Sequence, residues 1–318
     1  MRIVYVANHD SGGNDDEGAI SFALERLGHE VVRIKERKGY DARRLKADLC
    51  LFHKWDDPEA LRGISYPKAF WYFDLVDFPQ DPTLTRRCSQ RVEWMSRIIP
   101  CVDLGFCTDG DWVERWNSAL HPSSGLIPDK LVWLPQGADE RVTGLYTSDP
   151  DSPQSSRILF TGIGKGGGVQ RESFIAEMRA TYGDRFYHVS RGVHREELGR
   201  LIANSSIVVA PDSPVTDRYW SNRVYNALGF GAFLLHPWCG DLSANYRVIP
   251  DEWGSDFECE AIAYGSRADL FEKIDKYLEM PTSRRRIASA GYERTIREHL
   301  YRHRCEQLVR TVKERLSI

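Results

Sequence analysis

Short apolar runs alternate along the chain with stretches in which apolar residues recur at helical spacing. The run Arg2–Ala7, for example, is followed by Ile20, Leu24 and Leu27, which predict a helix that ends at Gly28. Runs that are apolar throughout predict strands covered on both faces, as in parallel sheets, and the pattern therefore indicates an α/β fold. The predicted strands are residues 2–7, 30–34, 47–52, 68–73, 101–107, 131–134, 157–161, 186–189, 206–210, 232–235 and 257–263.

The segment Thr147–Ser156, TSDPDSPQSS, interrupts this alternation with Pro, Ser and Asp and has almost nothing to bury. It predicts a linker between two domains, residues 1–150 and 151–318. A length of 318 residues agrees with two domains. Each half opens with a strand, a loop, a helix and a second strand, so we expect two Rossmann-like domains.

The composition of the chain argues against several classes of protein, namely membrane-spanning, secreted and zinc-binding proteins. The chain is 42% hydrophobic, but no apolar run approaches the roughly 20 residues that span a bilayer, and the first run is too short for a signal peptide. Seven cysteines, an odd number without the spacing of a zinc site, indicate reduced thiols. We therefore expect a cytoplasmic protein. The net charge of −3 does not by itself indicate a polyanionic partner.

A glycine-rich loop follows the first predicted strand of the second domain. Five glycines and Lys165 lie between that strand and a predicted helix that Arg171 precedes. Glycines let backbone N–H groups approach a phosphate, and a helix start adds partial positive charge, although the spacing is not that of a Walker A loop. Gly162, Gly164, Lys165 and Arg171 are therefore candidate phosphate ligands. A flexible surface turn is the alternative.

The stretch 211–242 predicts a polar loop, a short helix, a glycine turn at Gly229 and Gly231, and a buried strand. In open parallel sheets ligands bind beyond the carboxyl ends of the strands, which is where this loop lies. We therefore expect its polar side chains to contact a polar ligand, the alternative being an ordinary crossover with a solvated loop. The candidates are Asp212, Ser213, Tyr219, Ser221, Asn222 and Arg223.

Polar side chains also follow the predicted strands of the first domain. Because the carboxyl ends of parallel strands share one edge of a sheet, these side chains are expected to line one cleft. No G-x-G-x-x-G motif follows the first strand, so the loop 8–14 does not predict a dinucleotide site. The expected cleft residues are His9, Asp10, His53, Asp74, Asp77 and Asp109.

The run SNRVYNALGFGAFLL, residues 221–235, resembles the nucleotide-sugar site of glycosyltransferases with the GT-B fold. The resemblance is greatest to the spore-maturation (CgeB-like) group and its phage relatives. It covers most of residues 155–318 and only loosely 1–140. It implies two Rossmann-like domains facing each other across a cleft, with the last helix crossing back onto the first domain. It also implies a nucleotide-diphosphate sugar, such as a UDP-sugar, as donor, with no bound metal and no permanent cofactor.

The resemblance also implies roles for particular residues. In family 4 relatives an Arg and a Lys hold the donor diphosphate, and Lys165 and Arg171 are the matching types here. A loop corresponding to the one that contains His194 meets the nucleobase in relatives. Relatives carry two glutamates where this chain has Arg218 and Asn226, so the double-carboxylate clamp is missing. Asn226 retains the capacity to hydrogen-bond a ribose hydroxyl.

Catalysis by an inverting enzyme needs a general base, whereas a retaining enzyme stabilises a separated ion pair. In retaining relatives a His follows the strand that corresponds to 69–73, and here that loop offers Asp74 and Asp77. These two carboxylates, with His9 and Asp10, are the candidate catalytic residues. The stereochemical outcome stays open.

We therefore expect a glycosyltransferase that moves a sugar to an acceptor hydroxyl. Residues 33–46 carry seven Lys/Arg against two acids, a basic footprint that suits a phosphate backbone. One alternative is thus that the acceptor is a hydroxymethylated DNA base, as for phage DNA-modifying relatives, with Trp55, Trp71 or Trp112 stacking on the base. A catalytically inactive nucleotide-sugar-binding protein and a sugar-nucleotide epimerase are two further hypotheses.

Overall fold

The computed structural model describes residues 1–9, 16–36, 38–53, 58–78, 84–118, 129–144, 157–164, 169–190, 192–193, 195–249 and 259–318. The chain divides into two compact units. The first unit consists of Met1–Pro79, Thr85–Glu140 and Tyr301–Ile318, and most of the second is Arg141–Leu300. The predicted linker lies outside the described residues, and the predicted domain boundary stays a prediction.

Within the described ranges, each unit has one six-stranded parallel sheet. The strands are β1 (Arg2–Ala7), β2 (Glu30–Lys35), β3 (Leu49–Phe52), β4 (Lys68–Tyr72), β5 (Leu104–Cys107), β6 (Leu131–Trp133), β7 (Ile158–Thr161), β8 (Phe186–Val189), β9 (Ile207–Val209), β10 (Leu234–Pro237), β11 (Val248–Ile249) and β12 (Ala261–Tyr264). The order is β2-β1-β3-β4-β5-β6 in the first unit and β11-β12-β10-β9-β7-β8 in the second.

Helices alternate with these strands along the chain, as the spacing of apolar residues predicts. They are α1 (Asp16–Arg26), α2 (Pro58–Leu61), α3 (Thr85–Ile98), α4 (Gly110–Asn117), α5 (Val169–Tyr182), α6 (Arg195–Ala203), α7 (Arg223–Gly229), α8 (Leu242–Asn245), α9 (Arg267–Leu278), α10 (Pro281–Glu298) and α11 (Tyr301–Leu316). None of the helices within the described ranges is both long and apolar enough to cross a membrane.

Both faces of the first sheet are covered by helices, which explains why its strands are apolar throughout. Side chains of α1 and α11, among them Ile20, Cys305 and Leu308, form one core with one face of the sheet. Side chains of α3 and α4, among them Met95 and Trp116, form a second core with the other face. The final helix of the chain is therefore an integral part of the first unit.

The predicted fold class, α/β with two Rossmann-like sheets, is confirmed. One predicted strand is displaced: the pattern predicts residues 232–235, and β10 spans Leu234–Pro237. Gly231, at φ 71°, ends α7 in a Schellman motif, in which the Gly231 and Ala232 amides donate to the Leu228 and Ala227 carbonyls. Ala232 still belongs to the helix end, so the strand starts later.

Several other predicted strands are shorter in the structure by one to three residues. Pro100 lies in a 3-10 turn, Ile99–Cys101, so β5 begins only at Leu104. Of the strand predicted at 257–263, residues 257 and 258 lie outside the described residues, and β12 spans Ala261–Tyr264. The edge strand β11 has only two residues, too few to produce a recognisable hydrophobic pattern, and was not predicted.

Candidate functional site

The strand order of the second unit places a topological switch point between β7 and β9. The chain leaves β7 for β8 on one side and then returns to β9 on the other side, so strand order reverses between these two neighbours. Ligands of open parallel sheets bind at such a reversal, outside the carboxyl ends of the strands. Here those ends are followed by Gly162 and by Ala210–Ser213, which belong to the two loops that the sequence indicated.

Arg223, the first residue of α7, holds its guanidinium against the end of β7. Its Nε donates to the Thr161 carbonyl at 2.6 Å and its Nη1 to the Ser221 hydroxyl at 2.9 Å. The guanidinium carbon lies 5.0 Å from the centroid of the Phe160 ring. Gly162 has φ 147°, and a Cβ there would collide with Nη2 of Arg223. Glycine is therefore required at position 162 for both its conformation and its lack of a side chain.

The charge of Arg223 has no counter-ion within the described part of the chain. No carboxylate there forms an ion pair with it, although its side chain is only partly exposed. Burial lowers the pKa of Arg223 to about 9, and the positive charge of Arg171 contributes in the same direction. The guanidinium still carries its charge at neutral pH. An uncompensated, partly desolvated cation at a switch point favours the binding of an anion.

Arg171, on α5, connects the glycine-rich loop to the loop after β9. Its Nε and Nη2 lie 3.4 and 3.3 Å from the Ser213 carbonyl, and its Nη1 lies 3.3 Å from the Ile163 carbonyl. Two arginines therefore converge on the switch point, as the proposed phosphate role requires. Lys165 lies outside the described residues.

Two neutral histidines near Arg223 were not predicted. His188, on β8, donates from Nε2 to the Gly162 carbonyl at 2.9 Å and stacks on Phe160 at 5.1 Å. Burial lowers its pKa, with further contributions from nearby arginines. A Cβ at Gly164 would lie 2.8 Å from Cε1 of His188, so this ring explains the second glycine of the loop.

His236, on β10, is 3% exposed and donates from Nδ1 to the Pro237 carbonyl at 2.8 Å. Burial lowers its pKa to about 4, and the charge of Arg223 acts in the same direction. A neutral imidazole adds no further positive charge beside Arg223. Nothing in the local sequence distinguished His188 or His236 from an ordinary strand residue.

One face of α7 stays partly exposed. Asn222, Arg223 and Asn226 are spaced so that they share this face, while the intervening residues of the helix are buried. The Asn226 side chain makes no hydrogen bond to any described residue, and its amide is available to a ligand. Tyr219 lies close enough to Arg223 for its phenol to affect the pKa of the guanidinium.

Two polar residues of this region are engaged in ion pairs. Asp212 accepts from Nε of Arg267 at 2.6 Å, and Arg267 also contacts Glu177 at 3.0 Å. Arg218, at one of the positions where relatives carry glutamate, pairs with Asp241 at 2.8 Å. Ser213 takes part through its backbone carbonyl, since its side chain is buried. His194 lies outside the described residues.

The candidate catalytic residues lie in the first unit. Asp74 pairs with Arg91 at 3.4 Å and Asp77 with Arg115 at 2.9 Å. His9 follows β1, and its Nε2 lies 3.0 Å from the Tyr5 carbonyl. Asp10 lies outside the described residues. Nothing in the structure assigns any of these four residues a catalytic role.

The prediction that Asp109 lines an open cleft is wrong. Its carboxylate is fully buried and caps α4 by accepting from the Trp112 amide at 3.0 Å, and it also accepts from the Val76 amide at 2.9 Å. Burial raises the pKa of Asp109 to about 6. A polar residue after a strand is also a good helix N-cap, and that role applies here. His53 is buried as well and packs edge-on against Phe73.

Two of the three tryptophans predicted to stack on a DNA base are buried in the cores of the first unit. Trp71 lies on β4 and donates from Nε1 to the Leu134 carbonyl at 3.1 Å, and Trp112 packs beside Trp116 on α4. Neither ring presents a face to a base, so the prediction is wrong for these two. Trp55 lies outside the described residues.

The described residues include no group of three His, Cys, Asp or Glu side chains placed to hold a metal ion.

Three solved structures of similar fold cover nearly the whole chain. HepE of Anabaena, solved with UDP-glucose, has a TM-score of 0.61 at 12% identity, over 99% of this chain and 100% of that chain. An α-glucosyltransferase solved with UDP-glucose and DNA containing an abasic site has a TM-score of 0.64 at 14% identity, over 95% of each chain. The catalytic domain of starch synthase IV from Arabidopsis thaliana, bound to ADP and acarbose, has a TM-score of 0.61 at 12% identity, over 96% of this chain and 99% of that chain.

The fold is that of the GT-B glycosyltransferases, built from two Rossmann-like domains. Residues 170–310, which include Arg171 and all of α7, match the family model described as Glycosyl transferase-like. No curated protein sequence matches this chain. The predicted resemblance to GT-B glycosyltransferases is confirmed, while the finer likeness to the CgeB-like group and to family 4 stays a prediction.

Proposed function

We propose that this protein transfers a glycosyl group from a nucleotide-diphosphate sugar to an acceptor hydroxyl, and that no metal ion takes part. The observation that carries the proposal is the uncompensated guanidinium of Arg223 at the switch point of the second sheet. A diphosphate is the anionic group of such a donor. The similar structures solved with UDP-glucose make UDP the nucleotide to test first.

Departure of the nucleotide diphosphate concentrates negative charge on the leaving oxygen. Arg171 and Arg223 approach the phosphate position from the first turns of α5 and α7, and their own hydrogen bonds to backbone carbonyls fix their orientation before the substrate binds. Fixed charges at a partly desolvated site stabilise developing charge without reorganisation. These two cations, together with Lys165 of the glycine-rich loop, take the role that a divalent ion has in other transferases.

The remaining candidates suit the other parts of the donor. The Asn226 side-chain amide, which makes no hydrogen bond to a described residue and lies one turn from Asn222, suits a ribose hydroxyl. Tyr219 lies near Arg223. His194, which lies outside the described residues, comes after β8 in the sequence and is our candidate for contact with the nucleobase. Gly162 and Gly164 leave the space that Arg223 and His188 occupy.

We keep Asp74 as the proposed general base of an inverting reaction. Its ion pair with Arg91 favours the charged carboxylate, which is the form that accepts a proton from an acceptor hydroxyl. The pair also holds the carboxylate in one position. Asp77, His9 and Asp10 are the other proposed members of this site. A retaining reaction would not require a base, so the anomeric configuration of the product decides whether Asp74 has this role.

A second candidate acceptor is DNA carrying a hydroxymethylated base. The side chains of Lys38, Arg44 and Lys46 are exposed and form no ion pair with described residues. Between them Tyr40 is 47% exposed, with the Arg43 guanidinium 4.7 Å from its ring centroid. Exposed cations beside an aromatic ring suit a nucleic acid backbone and an unstacked base. Arg33, by contrast, pairs with Glu25 at 2.8 Å.

Incubation with radiolabelled UDP-glucose and candidate acceptors, followed by product analysis, tests the assignment. Transfer of label to an acceptor supports the enzyme. Binding without transfer to any acceptor would favour an inactive nucleotide-sugar-binding protein, and a changed sugar still attached to UDP would favour an epimerase. All seven cysteines are free thiols, which supports our proposal of a cytoplasmic location.

A further inference from the structure

The second unit holds a cavity of 690 Å³ beside the ends of β10 and β12. Since the strand order is β12-β10-β9-β7, this cavity lies on the opposite side of β9 from β7 and its glycine-rich loop. Its lining combines apolar residues, among them Pro237 and Trp238, with three charged side chains, Asp212, Asp269 and Lys273. A cavity of this size accommodates a small organic ligand.

Trp238 presents an unused aromatic surface to this cavity. It is 43% exposed, whereas most large apolar side chains of the described ranges are buried. Its backbone amide donates to the Tyr264 carbonyl at 2.9 Å, which fixes the residue at the end of β10. Its indole N–H has no hydrogen-bond partner among the described residues. Trp238 therefore offers a flat apolar face and one free donor.

The carboxylate of Asp269 offers an acceptor in the same cavity. Its Oδ2 accepts from the Gly265 amide at 2.7 Å and from Lys273 at 2.9 Å, while its Oδ1 has no partner among the described residues. Lys273 is nearly buried and also donates to the Ala263 carbonyl at 2.7 Å. The ammonium is thus committed to the protein. Asp212 adds a second carboxylate to the lining.

These groups select the chemical class of the ligand. An anionic nucleotide or phosphate would find no uncommitted cation among the lining residues, because Lys273 is paired with Asp269 and the other lining carboxylate, Asp212, is paired with Arg267. A neutral pyranose ring has an apolar C–H face that matches the indole, and hydroxyls that can accept from the indole N–H and donate to Asp269. We propose that this cavity is a binding site for a neutral carbohydrate, separate from the phosphate site at Arg223. This proposal does not rest on the proposed transferase activity.

Saturation-transfer NMR of the full chain tests the site. The probes are methyl α-glucoside, methyl β-galactoside, N-acetylglucosamine and maltose, each at millimolar concentration. We expect at least one to receive saturation from the wild-type protein and Trp238→Ala to weaken its binding about tenfold or more. Trp238→Phe, which keeps an aromatic face but loses the N–H, is expected to bind with intermediate affinity.

Tyr187→Ala is the matched control, because Tyr187 is a 39% exposed aromatic residue of the same unit that does not line the cavity. It should bind the sugar as the wild type does. UDP added at saturating concentration should not displace the sugar. Saturation transfer to none of the four probes, equal weakening in Tyr187→Ala, or competitive displacement by UDP would each overturn the proposal. UDP binding is measured in a separate experiment. If UDP does not bind, that result contradicts the proposed donor site, but the sugar-binding test of this cavity remains valid.

Discussion

Replacement of Arg223 by methionine should weaken UDP binding without removing the packing of this side chain. Methionine keeps an unbranched apolar chain over Phe160 and removes the charge. Nε of Arg223 is committed to the Thr161 carbonyl, so the ligand competes chiefly for the donors at Nη1 and Nη2. One charge-assisted hydrogen bond contributes about 1.5–3 kcal/mol, which corresponds to a roughly 10- to 150-fold increase in the dissociation constant.

Gly162→Ala provides an independent version of the same perturbation. The added Cβ would collide with Nη2 of Arg223 while the arginine itself is retained. We therefore expect Gly162→Ala to weaken UDP binding in the same direction as Arg223→Met. Arg223→Lys, which keeps the charge but loses the planar fork, should lie between methionine and the wild type.

Isothermal titration calorimetry with UDP at fixed ionic strength measures these effects. Arg200→Met is the matched control, because Arg200 is an exposed arginine of the same unit that pairs with Glu196 one helical turn away. Its affinity for UDP should equal that of the wild type. An Arg223→Met variant within twofold of wild-type affinity would refute the reasoning, and so would an equal loss in Arg200→Met.

Four further predictions concern catalysis, metal, pH and the acceptor. Asp74→Asn should lower kcat by ~10²–10⁴ with UDP affinity unchanged, and near-normal turnover would exclude a base at this position. Transfer should persist in EDTA; loss of activity that Mg²⁺ or Mn²⁺ restores would contradict the metal-free proposal. Burial holds the pKa of His236 near 4 in the folded state, so the unfolded state binds the extra proton between pH 6.5 and 4 and stability falls as pH is lowered. Urea titrations between pH 6.5 and 4 should show that the free energy of unfolding falls by up to about 3 kcal/mol less in His236→Asn than in the wild type. The same dependence of this free energy on pH in both proteins would contradict the prediction. If duplex DNA binds through Lys38 and Arg44, affinity should fall with salt at a slope of about −0.9 per contact, and each alanine variant should reduce that slope by about one. A slope that neither substitution changes would exclude this patch.

Hydrophobic pattern alone predicted the α/β fold and nearly every strand, because a parallel sheet covered on both faces requires apolar runs. The errors lie where local backbone geometry decides the boundary. The Schellman motif at Gly231 delays β10, and the turn that contains Pro100 delays β5. Glycine and proline indicate where such turns occur, but the sequence does not show how many residues belong to each turn.

The candidate site was predicted less completely. Arg223 and Arg171 were predicted from their positions after parallel strands, and both lie near the switch point, while their roles in ligand binding stay predictions. His188 and His236 were missed because their roles depend on neighbouring strands, and sequence spacing carries no such information. Asp109 was misplaced because a capping carboxylate and a ligand-binding carboxylate occupy the same position after a strand.

The return of α11 to the first unit has a consequence for synthesis of the protein on the ribosome. Tyr301, Cys305, Leu308 and Val312 are almost fully buried in a core that also contains residues of β1 and α1. The nascent first unit therefore lacks one wall of its core while all of the second unit is being translated. We expect the second unit to reach its native state first, and the apolar surface of α1 and the first sheet to require protection until the last helix leaves the exit tunnel.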